Sequence, residues 1–197
     1  MGVLNLSDAS IKSGGKRTTF WDQETTWNSG LELIASQSFT AITSVSFDNV
    51  FSDNYIQYKI VLQAENSAQA NARTVQMRFR TSGVDFTGSN YHWQRILTYG
   101  TTNSGSRTTG VSAWNIALSG GTSYGARSTF IYEILNPFQT EYTNAVGTYH
   151  HFTSSTGSNS YLDAAGMNVT NSFDGCTFLC TDTITGTAAI YGYFKGA

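Results

Sequence analysis

The residues in this chain that could do chemistry begin with its two cysteines, Cys176 and Cys180, which are separated by three residues. Zinc sites use cysteine pairs at similar spacing, but they need a second pair of ligands, and the sequence has no other cysteine. In an extended strand, residues i and i+4 lie about 13 Å apart, whereas a disulfide needs Cα atoms within about 7 Å. Because free cysteine packs as a small hydrophobe, we predict two reduced core cysteines; a metal or redox site is the alternative.

Histidines and carboxylates do not add a second candidate site. His150 and His151 are adjacent, so in a strand they point to opposite faces, and His92 stands apart. The sequence has no G-x-S-x-G elbow, P-loop, dinucleotide-binding motif or EF-hand loop. The carboxylates needed for glycoside hydrolysis show no spacing that selects two from Asp85, Glu133, Glu141, Asp163 and Asp174. The sequence therefore predicts a protein that is not an enzyme and has no cofactor or metal.

Aromatic residues suggest a binding role instead. Jelly-roll domains often carry aromatic platforms for sugars. The candidate glycan-binding set in this chain is Tyr91, Trp93, Trp114 and Tyr124, with Tyr149 as a further candidate. The alternative is that these rings fill the core or a subunit interface, since each buries about 150–250 Å². Which alternative holds depends on the sheet face that each ring occupies.

Composition favours an assembled all-β protein. Charged residues make up 12% of the 197 residues and aromatic residues 14%, with 19 glycines and one proline. This charged share is about half that of an ordinary domain, and so bare a surface would make a monomer prone to precipitate. We therefore expect self-association. The net charge of −2 predicts no nucleic-acid binding, and no apolar run predicts membrane insertion.

From residue 31 the apolar residues alternate with period two. In YIQYKIVLQAE, one face would carry Ile56, Tyr58, Ile60, Leu62 and Ala64. The segment RTVQMRFRTSG repeats this alternation. Further strands are predicted at 90–98, 107–118, 126–136, 143–153, 160–170, 173–181 and 186–195. About ten short strands with one apolar face predict an all-β fold, an antiparallel β-sandwich of the jelly-roll kind, over residues 31–197.

Residues 1–30 differ from the rest, because they show neither helical nor alternating periodicity. We predict an extended N-terminal anchoring arm that orders on a partner; a disordered leader is the alternative. Large aromatic side chains and cations are the typical anchors of such a segment. The predicted partner-docking residues are Phe20, Trp21, Trp27, Lys12, Lys16 and Arg17.

Four segments carry a resemblance to a known family. They are LELIASQSFTAITSVSFDNVFSDNYIQYKIVLQA, MRFRTSGVDFTGSNYHWQ, IYEILNPFQTEYT and NSFDGCTFLCTDTITGTAAIYGYFKG. Together they resemble virion structural proteins of tailed bacteriophages, especially phages of aquatic bacteria, over roughly residues 31–196. The shared motifs are structural, and they map onto fold positions Phe47, Tyr58, Asn90-Tyr91, Pro137-Phe138, Phe173-Asp174-Gly175 and Tyr191-Gly192-Tyr193. Cys176 and Cys180 stand where the family commonly has aromatic or aliphatic core residues.

The resemblance implies a β-sandwich module in the virion, assembled in the host cytoplasm. It suggests a capsid decoration or cement protein, or a short fibre subunit, that docks on capsid or tail proteins and forms a homo-oligomer, most often a trimer. The short chain favours a small stand-alone subunit. The alternatives are a tail-fibre receptor-binding module for host surface glycan and a cellular lectin-like carbohydrate-binding module.

Overall fold

The computed structural model describes residues 30–66, 73–121, 127–153 and 157–194, with the backbone of 11–13 and 16–18. The chain divides into two compact units, Gly30–Lys195 and the terminal residues Met1–Ser29 with Gly196–Ala197. Within the terminal unit, β1 pairs antiparallel with β2. The predicted division into a 1–30 arm and a 31–197 domain stays a prediction.

The described residues form strands and connecting turns, which confirms the all-β prediction. The strands are β1 Ile11–Ser13, β2 Lys16–Thr18, β3 Leu31–Phe47, β4 Tyr55–Asn66, β5 Thr74–Thr81, β6 Val84–Asp85, β7 Tyr91–Tyr99, β8 Thr102–Val111, β9 Trp114–Leu118, β10 Gly120–Gly121, β11 Ser128–Leu135, β12 Asn144–Thr153, β13 Gly157–Met167 and β14 Gly175–Phe194. Within the described ranges, no helix is long and apolar enough to cross a membrane.

Twelve strands of the larger unit form one sheet in the order β6-β5-β14-β4-β11-β12-β13-β7-β8. Three strands join this path from the side: β3 pairs with β14, β9 with β5 and β10 with β4. All pairings are antiparallel except the short β10–β4 contact. The sheet curls into a half-barrel. Its continuous wall consists of residues 185–194 of β14 followed by β4, β11, β12, β13, β7 and β8.

The long strand β14 divides the sheet into two layers. One of its edges pairs with β3 along nearly its whole length. On the other edge, its first six residues pair with β5 and residues 185–194 pair with β4. Strand β9, which is bonded to β5, then lies against β7, β11 and β12. We call β5, β6, β9 and the first part of β14 the covering layer. The face of the wall beneath it is the inner face, and the opposite face is the outer face.

The core lies between the covering layer and the inner face. Trp114 and Phe79 meet edge to face, with ring centroids 4.9 Å apart, and Phe173 stacks on Phe79 at 4.8 Å. Each of these side chains is fully buried. Such aromatic pairs add about 0.5–1.5 kcal/mol to the free energy gained by burying their area. Tyr91 on β7 of the wall meets both rings, with centroids 6.3 Å from Phe79 and 6.0 Å from Trp114, so this aromatic centre holds the covering layer on the wall.

Two predicted strand boundaries are wrong. The segments 173–181 and 186–195 form one continuous strand, β14, and not a pair with a turn near Gly186. At Gly186 the chain passes so close to the β4 backbone that a Cβ would overlap it, and only glycine fits without displacement. The segment 107–118 is conversely two strands, because the chain leaves β8 after Val111 and starts β9 at Trp114. Gly110, with φ of 68°, lies just before this change of direction.

Candidate functional site

The two cysteines lie in the core, as the sequence predicts. Both are free and buried on β14, and Phe178 between them is also fully buried. Burial raises the pKa of the Cys176 thiol well above its usual range, against the opposing effect of Arg80. Burial also raises the pKa of Cys180. Since the thiolate is the reactive form, neither thiol is poised for metal binding or redox chemistry.

We therefore expect both cysteines to resist modification in the folded protein. At pH 8, a thiol reagent such as DTNB should label neither thiol on the time scale on which it labels a free peptide thiol. In denaturant it should titrate two thiols per chain. Rapid stoichiometric labelling of the native protein would contradict the core assignment.

The histidines point apart as predicted. His150 is exposed and its Nε2 lies 2.5 Å from Ser158 Oγ, whereas the neighbouring His151 is buried beside Asn159. Burial, followed by the charge of His150, lowers the pKa of His151, so its ring is neutral near pH 7. Among the described residues, no three His, Cys, Asp or Glu side chains gather as metal ligands.

The most organised polar cluster is a buried ion pair on the inner face. Arg95 on β7 donates two hydrogen bonds to Asp163 on β13, from Nε at 2.9 Å and Nη2 at 2.8 Å. Tyr132 on β11 donates its hydroxyl hydrogen bond to the same carboxylate. The strand register brings the two side chains together, because Arg95 and Asp163 are paired directly across β7 and β13. A paired, bidentate arrangement is what a buried guanidinium and carboxylate require.

Gly147 makes the third contact possible. It lies on β12 between Tyr132 and Asp163, and it pairs with both in register. A Cβ at this position would lie 2.6 Å from the Tyr132 ring. Because glycine leaves this space open, the tyrosine ring lies across β12 and reaches the carboxylate two strands away.

Aromatic rings enclose the guanidinium. The Arg95 Cζ lies 4.9 Å from the Trp93 ring centroid, 5.2 Å from Tyr149 and 5.5 Å from Tyr161. Tyr149 and Tyr161 stack on each other with centroids 3.9 Å apart. Desolvated cation–π contacts of this kind stabilise by about 2 kcal/mol. The rings therefore offset part of the cost of removing the charge from water.

The cluster joins the wall to the covering layer. Arg95 Nη2 donates to the carbonyl oxygen of Asn115 at 2.9 Å, and the Tyr132 hydroxyl lies 3.0 Å from that of Ile116. Burial lowers the pKa of Arg95, but the interaction with Asp163 raises it, and the net shift is upward. Burial raises the pKa of Tyr132, and Asp163 raises it further. Both protonation states are thus fixed near neutrality, and the cluster acts as a structural tie between the two layers.

Two of the residues predicted to bind glycan lie in the core and not on the surface. Tyr91 and Trp114 are fully buried, and their polar atoms bond to the backbone: the Tyr91 hydroxyl to Phe79 and Phe86, and the Trp114 indole to Gly166. As exposed stacking faces these two predictions are wrong, because their rings fill the core. Trp93 is half-buried against Arg95. Tyr124 lies outside the described residues.

The predicted docking residues of the arm lie outside what can be described. Phe20, Trp21 and Trp27 are not among the described residues. Lys12 on β1 pairs in register with Arg17 on β2, beside Lys16, but only the backbone of these strands is described. Their role in docking stays a prediction.

An apolar row crosses the outer face of the wall. Successive register partners place its residues side by side, and they are Ala189, Val61, Ile131, Thr148, Leu162 and Ile96 on β14, β4, β11, β12, β13 and β7. Ile96 is 57% exposed and Leu162 49%. Val146, which is exposed, lies next to Thr148 on the same face, and the exposed Leu135 lies farther along β11, beyond Glu133. Contiguous exposed apolar surface of this kind marks an interaction site more often than an ordinary solvated face.

Two of the charges next to the apolar row, on β4 and β11, are paired with each other. Lys59 Nζ lies 3.8 Å from Glu133 Oε1. The same carboxylate accepts hydrogen bonds from the Tyr193 hydroxyl at 2.8 Å and from Gln57 Nε2 at 3.3 Å. Around this pair the outer face is therefore apolar and locally neutral, and the exposed Arg107 lies farther along it on β8, opposite Gln94. No pattern within a single strand predicts this face.

Comparisons of this chain with models of protein families, with curated proteins and with solved structures find no match.

Proposed function

We propose that this chain is a structural subunit of a bacteriophage particle, a capsid decoration or cement protein or a short fibre subunit, which docks through its N-terminal arm. The observation that carries the proposal is the outer face, a largely apolar surface on a continuous β wall, with its Lys59–Glu133 charges paired. Such a surface suits a protein that works by being packed against other subunits. The resemblance of residues 31–196 to virion proteins of tailed phages is the reason for proposing a phage particle as the assembly.

The buried tie fits this proposal. A subunit that packs against its neighbours in a particle needs a single stable conformation. A fully satisfied buried polar cluster favours such a conformation, because it specifies one packing of the two layers. Arg95, Asp163 and Tyr132 use their polar groups on each other and on the backbone of β9. Recognition would thus rest on the outer surface and on the arm.

Deletion of residues 1–28 tests the docking role. We expect the truncated chain to fold, with the far-UV circular dichroism of an all-β protein, and to be missing from purified particles. A matched variant, Trp21→Ala with Trp27→Ala, keeps the arm but removes its two largest anchors, and it should reduce incorporation at least tenfold. If truncated protein is incorporated at the level of the full chain, docking by the arm is wrong.

Copy number separates the two locations. Quantitative mass spectrometry of purified particles should give hundreds of copies for a shell protein and a dozen or two for a tail fibre. If no particle contains the protein, the proposed function fails. Binding of the purified chain on a glycan array would instead support the receptor-binding or lectin-like alternatives.

A further inference from the structure

We propose that the outer face, with Ile96 and Leu162 as its projecting residues, docks a second copy of this chain by two-fold packing. This inference rests on the proposed function for its biological role, and its physical argument comes from the face itself. The partner is another copy for three reasons: the area of the face, its charges and its relief.

The area is that of a stable interface. The apolar row spans six strands, and strands are spaced by about 4.8 Å, with outward residues about 6.8 Å apart along each strand. Four outward residues on each of six strands therefore cover roughly 800 Å². A specific protein–protein interface buries about 800 Å² on each partner. A second wall laid on this one would thus bury enough surface for a specific complex.

The charges favour an identical partner. A face that carries unpaired charge of one sign would repel its own copy and select a partner of opposite sign. Here the central ion pair is neutral as a unit, because Glu133 already bonds to Lys59, Tyr193 and Gln57. No compensating charge for this pair has to come from the partner, and Arg107, the cation that borders one depression, lies on β8 at the edge of the face. Burial of already paired groups beside apolar side chains is compatible with self-packing.

The relief of the face is self-complementary. Ile96 and Leu162 form a ridge, and both residues line depressions on either side of it. One depression is floored by small residues, Gly105 and Ala164, and bordered by Val146. The other lies over Thr148 and is bordered by Ile131. A ridge with apolar hollows beside it on one patch is what an isologous contact needs, since each copy must supply both the projecting and the receiving surface.

This arrangement predicts a dimer. The ridge of each copy would enter a depression of the other, and the two walls would pack face to face about 10 Å apart. Such a contact closes on itself with two copies, and every residue that it uses belongs to the unit Gly30–Lys195. It differs from the trimer that the family resemblance implies, so the solution mass distinguishes the two.

Sedimentation equilibrium of the full-length protein over a concentration series is the test. We expect a monomer–dimer equilibrium. The double variant Ile96→Thr with Leu162→Thr keeps strand-forming side chains at both positions. It should raise the dimer dissociation constant about 100-fold or more, since two-fold packing removes four aliphatic side chains and each loss corresponds to about threefold to tenfold. The matched control is Val84→Thr on β6, an exposed aliphatic at 69% that lies outside the wall. It should leave the dissociation constant unchanged.

Each result decides the matter. A monomer at every concentration, a trimer, or a dimer that tolerates the double variant would overturn the inference. Unchanged circular dichroism and denaturation midpoint show that the double variant is folded. A protein that dimerises through this face but is absent from particles would overturn the proposed function and leave the inference standing. An incorporated subunit that shows no self-association would do the reverse.

Discussion

Replacing Asp163 with asparagine is expected to lower the free energy of unfolding by about 3–5 kcal/mol. The carboxylate is only 2% exposed and is the sole acidic partner of Arg95 among the described residues. Asparagine keeps the size of the side chain but leaves the guanidinium buried without a counter-charge. Breaking a buried pair in this way costs far more than the pair itself contributes. Urea denaturation monitored by tryptophan fluorescence measures the loss.

A double-mutant comparison separates charge from packing. Arg95→Met combined with Asp163→Leu removes both charges and replaces them with apolar side chains, so it should recover most of the stability lost in Asp163→Asn. The matched surface control is Glu65→Gln, because Glu65 forms a more exposed pair with Arg127 at 3.6 Å. That change should cost less than about 1 kcal/mol. If Asp163→Asn costs no more than Glu65→Gln, the cluster does not tie the two layers together.

Alternation along a single strand could be predicted from the sequence, and it identified much of the inner face. Tyr58, Ile60 and Leu62 on β4 are buried as expected, because only one face of this strand is mainly apolar and that face turns towards the core. Ile56 is exposed although the same alternation places it inward. A register irregularity where β14 ends against β4 turns Tyr55 inward instead. Irregularities of pairing depend on the partner strand, and for that reason the sequence of β4 alone does not show them.

The burial of Arg95 and Asp163 could have been predicted from the alternation of residues along their two strands. Arg95 follows Tyr91 and Trp93 in the same parity, and Asp163 follows Tyr161 in the same way, so each charge lies on an apolar face of its own strand. Two charged residues of opposite sign in such positions predict a buried pair. Which strands are neighbours decides whether they meet. That information is in the β13–β7 register and not in either segment.

The apolar row of the outer face is invisible to any analysis of single strands. Val61 stands between Lys59 and Gln63, and Leu162 between Ser160 and Ala164, so neither strand shows a second apolar face. The row arises because register aligns one apolar residue from each of several strands. Composition did signal the outcome, since a chain with 12% charged residues cannot cover its surface with charge. The location had to come from the structure.

Replacing Gly186 with alanine is expected to destabilise the fold by about 3 kcal/mol. A Cβ at this position would overlap the carbonyl oxygen of Gln63 on β4, and it would lie 2.9 Å from the carbonyl carbon and 3.0 Å from the Cα of Ala64. These are backbone atoms of a paired strand, so they cannot rotate away as a side chain can. Relief requires β14 to move off β4 where β14 changes partners, and such overpacking typically costs about 1–3 kcal/mol or more.

The matched control is Gly105→Ala on β8. Its Cβ would meet nothing closer than 3.7 Å, so we expect a change within about 0.5 kcal/mol. Both variants are compared in the Ile96→Thr, Leu162→Thr background, so that self-association does not contribute to the denaturation midpoint. If both glycine variants unfold at the same urea concentration, close approach to β4 is not what Gly186 provides. If Gly186→Ala alone is unstable, the residue that the sequence assigns to a turn is instead the point where β14 passes against β4, and the division of the sheet into two layers depends on it.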